Sequence, residues 1–114
     1  MMPKKIDLGS IVYSILPIKD LLDDERAKKI TGQISINDAT IKIENDINSQ
    51  LQAMTIIHEI IHHILMVSGH DEDIRPEIVE DFIDALANGM LITMRLNPDL
   101  IKFIGELDDR PKDN

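Results

Sequence analysis

The stretch from Thr55 to Leu65 reads TIIHEIIHHIL, and it narrows the folds open to this chain more than any other. His58 and His62 are four apart. On a helix such residues lie one above the other, so two imidazoles reach one metal ion. Glu59 falls on the adjacent side, where a carboxylate can take a proton from a water on that ion. H-E-x-x-H in this form is the arrangement of zinc hydrolases. At ~100° per residue, Ile56, Ile57, Ile60, Ile61, Ile64 and Leu65 fill one half of the wheel. Thr55, His58, Glu59, His62, His63 and Met66 fill the other. A helix with a buried back and one chemical face is the expectation. Isoleucine, a modest helix former, dominates the back, so packing rather than propensity must hold this helix.

The flanks predict the rest of the elements. Asn48 or Ser49 can cap a helix from about Ser49 to Val67, and Gly69 suits a left-handed C-terminal cap. Upstream, GQISI and TIKIE alternate polar and apolar residues around the turn residues Asn37-Asp38-Ala39. They read as a hairpin with Ile34, Ile36, Ile41 and Ile43 inward. The β-branched run before Pro17 reads as a strand over about 11–16. Residues 18–30 fit a short helix or a polar connection equally well. Downstream of the acidic stretch His70-Asp71-Glu72-Asp73, Pro76 opens a second helix to about Leu96, stopped by Asn97-Pro98. Residues 99–105 suit a short helical segment. Residues 1–9 and 107–114 are expected to be loosely ordered around a single domain spanning 1–114. The fold expected is α+β: a small antiparallel sheet of about three strands packed on two long helices, the first carrying H-E-x-x-H, with a short C-terminal helix.

Composition limits the chemistry. The chain has 114 residues and no cysteine, so a metal must be held by His, Asp or Glu. Aromatic residues make up only 3% of it, so the core must come from aliphatic side chains and methionine. Met54, Met66, Met90 and Met94 are expected as core fillers and His63 and His70 as surface histidines. The net charge of −9, with no basic patch, argues against direct nucleic-acid binding. No apolar run approaches the ~20 residues of a membrane span, and no signal-peptide core follows Lys4-Lys5. A cytoplasmic protein away from the membrane is the expectation.

Two histidines leave a catalytic zinc site one protein ligand short. His63 points ~100° away from His62 and cannot easily join it. The metzincin pattern would need a histidine where Ser68 stands. On the second helix Glu80 and Asp84 are four apart and share a face with the small Ala87, beside an apolar side of Val79, Phe82, Ile83, Leu86 and Met90. Glu80 is the expected third ligand and Glu77, one turn earlier, the alternative. Asp84 would accept the free N–H of a liganding histidine and fix its tautomer. Tyr13, His63 and His70 are the visible donors for an oxyanion.

H-E-x-x-H followed on the next helix by E-x-x-x-D resembles the gluzincin pattern. Together with Gly32–Ile36, Thr40–Ile43 and the segment Asp84–Leu91, it is similar to small phage and prophage proteins related to the ImmA/IrrE metallopeptidases. The resemblance covers roughly residues 10–98. It implies Zn2+ on His58 and His62, Glu59 as general base and Glu80 as the acidic ligand. It also implies hydrolysis of a protein or peptide substrate, such as a regulatory protein of a phage or mobile element. In related zinc peptidases a sheet edge accepts substrate as an added strand, and strand 40–44, leading into the metal helix, is the edge expected here. The alternative is an inactive zinc-binding regulatory or interaction module.

Overall fold

The computed structural model describes residues 2–70 and 76–107, with the side chains of 76–78 outside that description. The expected α+β architecture is present. Strands β1 (Lys5–Asp7), β2 (Val12–Ile18), β3 (Gly32–Ser35) and β4 (Thr40–Glu44) precede helices α1 (Ser49–Val67), α2 (Pro76–Leu96) and α3 (Pro98–Gly105).

The sheet has four strands rather than three, in the order β1-β2-β4-β3, and it is mixed rather than antiparallel. β3 and β4 form the expected hairpin, with Ile34 opposite Ile41. β4 then pairs in parallel with β2, Ile15 opposite Ile41 and Pro17 opposite Ile43. Pro17 is thus inside a strand, not after it. The alternation along β2 explains why it is tolerated. Ser14 N–H donates towards β4 (to Ala39) and Ile15 N–H towards β1 (to Lys4). The missing N–H of Pro17 therefore faces the β1 side, beyond the residues that β1 pairs. Residues 1–9 were expected to be loose. Instead Lys5–Asp7 make an antiparallel edge strand, and Met2, Ile6 and Leu8 pack against the core.

Between β2 and β3 the chain forms no helix. Leu21 is buried, Leu22 and Lys29 form an isolated bridge, and Asp23 Oδ1 accepts the N–H groups of Glu25 and Arg26. Glu44 Oε1 accepts from Leu21 N–H and its Oε2 from Asp46 N–H, which ties this connection to the entrance of α1. These bonds hold the Glu44 carboxyl below the usual carboxylate range.

α1 begins where Asn48 Oδ1 accepts Leu51 N–H at 2.8 Å. It ends in a Schellman motif: Gly69, at φ +77°, donates to Met66 O, and His70 N–H donates to Leu65 O. Two apolar clusters meet on this helix. Ile56 joins Tyr13, Ile15, Ile41 and Ile43 of the sheet, while Ile57 and Ile61 join Ile83 and Ala87 of α2. α1 is thus the middle layer, with the sheet on one side and α2 on the other. Among the described residues, α2 touches α1 and α3 but no strand. Ile36 and Ile64, both expected inside, are exposed, as are Phe82, Leu86 and Met90. Among the described residues, no helix is long and apolar enough to cross a membrane.

Candidate metal centre

His58 and His62 leave α1 one turn apart, and their Nε2 atoms lie 3.1 Å from each other. α2 runs antiparallel to α1, so Glu80 comes opposite His62 and Asp84 opposite His58. Glu80 Oε1 is 2.9 Å from His62 Nε2, and Oε2 is 3.1 Å from His58 Nε2. Three ligand atoms therefore converge from two helices, and the group can hold a metal ion. Neighbouring ligands on a tetrahedral ion with bonds near 2.05 Å stand ~3.3 Å apart, close to the separations found here. Ala87, fully buried at the α1–α2 contact, lets the helices come this near.

Asp84 occupies the position behind this group. Its Oδ1 lies 2.7 Å from His58 Nδ1. With Nδ1–H donating there, His58 directs the lone pair of Nε2 inward. His62 Nε2 can share a proton with Glu80 Oε1 or, in its other tautomer, turn its lone pair inward as well. Burial lowers the His62 pKa, against the opposing pull of Glu80, and so favours the neutral ligand form. The side chain of Glu77, the alternative ligand, lies outside the described residues.

Glu59 is only 6% exposed, yet it lines the same cleft as His58, His62, Glu80 and Asp84. Burial pushes its pKa up from 4.5 to about 7; His58 opposes this rise and Glu80 adds to it. A carboxyl that titrates near neutrality can both accept and return a proton.

The cleft holds about 590 Å³ and runs between α2 and the segment Ile30–Ile34, with Asp23 and Lys29 also on its wall. Its strand edge is β3, not β4, because β4 is central in the sheet. Glu44 N–H donates to Thr31 O, so residue 31 bonds towards β4. By alternation Gly32 and Ile34 direct their backbone N–H and C=O groups outward along the open edge. Gly32 is required here. A methyl at this position would run into Thr55 Cγ2 of α1, with Ile43 Cδ1 and Lys42 O both 3.4 Å away.

Two of the expected oxyanion donors are placed elsewhere. Tyr13 and His63 are buried in the core, joined through Tyr13 Oη and His63 Nδ1 at 2.9 Å with their rings edge to face. Neither lines the cleft. His63 is thus a core residue, not a surface histidine; His70 is exposed at the end of α1. A signal for this lay in the sequence: Thr55, Glu59 and His63 are spaced by four and form one polar stripe, buried along its whole length. The strand edge was the other feature misplaced, because strand order depends on pairing between distant segments. No protein-family model, curated protein or solved structure matches the chain.

Proposed function

We propose that this chain is a zinc-dependent metallopeptidase of gluzincin type, akin to the ImmA/IrrE proteins, that hydrolyses a protein or peptide such as a regulatory protein of a phage or mobile element. One observation carries the reading. His58, His62 and Glu80 converge, and the buried carboxyl of Glu59 opens into the same cleft.

Two imidazoles and one carboxylate suit zinc and leave a position for water. Zinc bound there supplies Lewis acidity, acidifying a coordinated water and polarising a carbonyl. Glu59 takes the proton from the attacking water and passes it to the leaving amine nitrogen, so that it ends the cycle ionised. Burial raises its pKa to about 7 without an ion, and a bound cation would draw it down toward the ionised form that the base step needs. Asp84 keeps His58 in the tautomer that binds through Nε2. Gly32 and Ile34 offer their outward backbone groups to an extended peptide, which would add to β3 as a fifth strand. The substrate is accordingly an unfolded segment or a loop able to straighten.

The test begins with metal analysis of protein purified without a histidine tag, followed by cleavage of unstructured peptides. The parent is expected to carry one zinc per chain and to cleave. Glu59→Gln should keep the metal and lose about 10²–10⁴-fold in rate. A parent that binds zinc and cleaves nothing would support the inactive regulatory module instead. A parent without zinc would sink both.

A further inference from the structure

We propose that α3 and the outer flank of α2 form the surface through which two copies of this chain pair. α2 presents three sides. Val79, Ile83 and Ala87 face α1. Glu80 and Asp84 lie on one flank of that face, at the metal cleft. Phe82 and Leu86, spaced by four, lie on the opposite flank, and Met90, one turn further, lies between that flank and the α1 face; the three are 53%, 41% and 42% exposed. α3, which packs on α2, adds exposed apolar residues of its own: Leu100, Phe103 and Ile104 are 44%, 64% and 52% exposed.

α3 is the more telling element. It has eight residues, none of them buried, and among the described elements it touches only α2. A helix this short is not stable in water by itself, because nucleation costs more than one or two turns return. Its ordered state needs a surface against its apolar side, and the described residues of this chain supply none beyond α2.

Area and charge together select a second copy as the occupant. Half-exposed side chains of this size leave roughly 100 Å² each, so the six residues offer ~600 Å². Leu96 at the α2–α3 junction and Leu107 beyond α3 are also exposed. They bring the patch to the ~800 Å² per partner of a standard interface, above the ~300–600 Å² usual for a monomer's largest patch. The chain as a whole carries −9, which would repel a second copy. From Phe82 to Leu107, however, Arg95 and Lys102 stand against Asp84, Asp99 and Glu106, a net charge of −1. Most of the acidic excess therefore lies outside this surface. A nearly neutral apolar patch can meet its own copy across a two-fold axis. The pairing leaves the cleft free, since Glu80 and Asp84 are on the other flank of α2.

Sedimentation velocity of the full chain tests this. At about 100 µM, above the µM-to-pM range that interfaces of this size span, the species should have twice the chain mass of 12.9 kDa. Phe103→Asp and, separately, Met90→Asp should each weaken pairing roughly 30-fold or more. Both sites are exposed, so both variants should fold, and retained metal binding with an unchanged helical circular dichroism spectrum checks this. A parent that remains a monomer at that concentration overturns the proposal, including one that binds lipid vesicles instead. So does a pair of folded variants that dimerise as tightly as the parent.

Discussion

Glu59 meets two opposing demands. The cleft needs its carboxyl, yet the helix side that carries it is pressed into the protein beside Thr55 and His63. Thr55 satisfies its hydroxyl on Leu51 O at 2.8 Å, and His63 pairs with Tyr13. Glu59 instead bears the cost of burial as a raised pKa, from 4.5 to about 7. In the metal-free protein this makes stability depend on pH. Below pH 4.5 the group is protonated in both folded and unfolded chains, and its contribution is fully present. Between 4.5 and 7 the unfolded chain releases the proton and the folded chain keeps it, so stability falls as pH rises. At ~1.4 kcal/mol per pH unit the loss reaches about 3 kcal/mol. Urea titrations of the metal-free parent and Glu59→Gln across that window should diverge by this amount, with the variant gaining on the parent as pH increases. Parallel pH profiles would mean that the Glu59 carboxyl is solvated in the folded state. That Glu59 shares a cleft with His58 and His62 follows from the helical period alone. Its burial depends on what packs over the helix, and no local pattern reports that.

At the scale of the elements, β3 and α1 are held together at Gly32. The strand passes so close to Thr55 that a side chain there must displace one or the other. Gly32→Ala should therefore destabilise the protein by about 1–3 kcal/mol, the usual cost of overpacking. A Gly32→Ala, Thr55→Ser double variant, which removes the clashing methyl, should recover much of that loss; chemical denaturation of the four proteins forms the cycle. Additive losses would place the strain elsewhere. Elements governed by short-range signals were legible: the hairpin from its alternation, α1 from Asn48 to Gly69, α2 from Pro76 to Leu96. The parallel pairing of β2 with β4 was not, since it joins residues across the whole 19–39 connection. β1 was hidden for another reason. Lys5-Ile6-Asp7 offers one apolar residue between two charges, a pattern an edge strand tolerates and a loop shares. The misjudged helix flank has a similar origin. Periodicity marked Phe82, Leu86 and Met90 as apolar but cannot say whether the surface that covers them belongs to the same chain.

For the whole molecule, the consequence of this layering is mechanical. The sheet and α1 share a core with Tyr13, Ile41 and Ile43 fully buried, whereas α2 docks on α1 chiefly through Ile83 and Ala87. The structure is correspondingly drawn out, 57 Å by 31 Å by 26 Å, with a radius of gyration of 15.6 Å. A compact domain of this length would have ~13 Å. α2 is thus the less anchored of the two long helices, and the group that can hold a metal lies across its junction with α1, two residues from one side and Glu80 from the other. A metal ion held there would cross-link the helices, and its binding energy would act on the position of α2 more than on the sheet. Zinc at a hundred times its Kd should stabilise the native state by about 2.7 kcal/mol. Hydrogen exchange resolves where that stabilisation falls. Amides of α2 around Glu80–Ala87 should slow markedly on adding zinc and return to their original rates with a chelator. Those of β2 and β4 should change far less, because the sheet core is closed without the ion. Glu80→Ala should abolish the effect in α2 while leaving exchange in the sheet as it was. Uniform slowing across sheet and helices would instead mean that the molecule opens as one unit, and that α2 is held as firmly by its apolar contacts as the strands are by theirs.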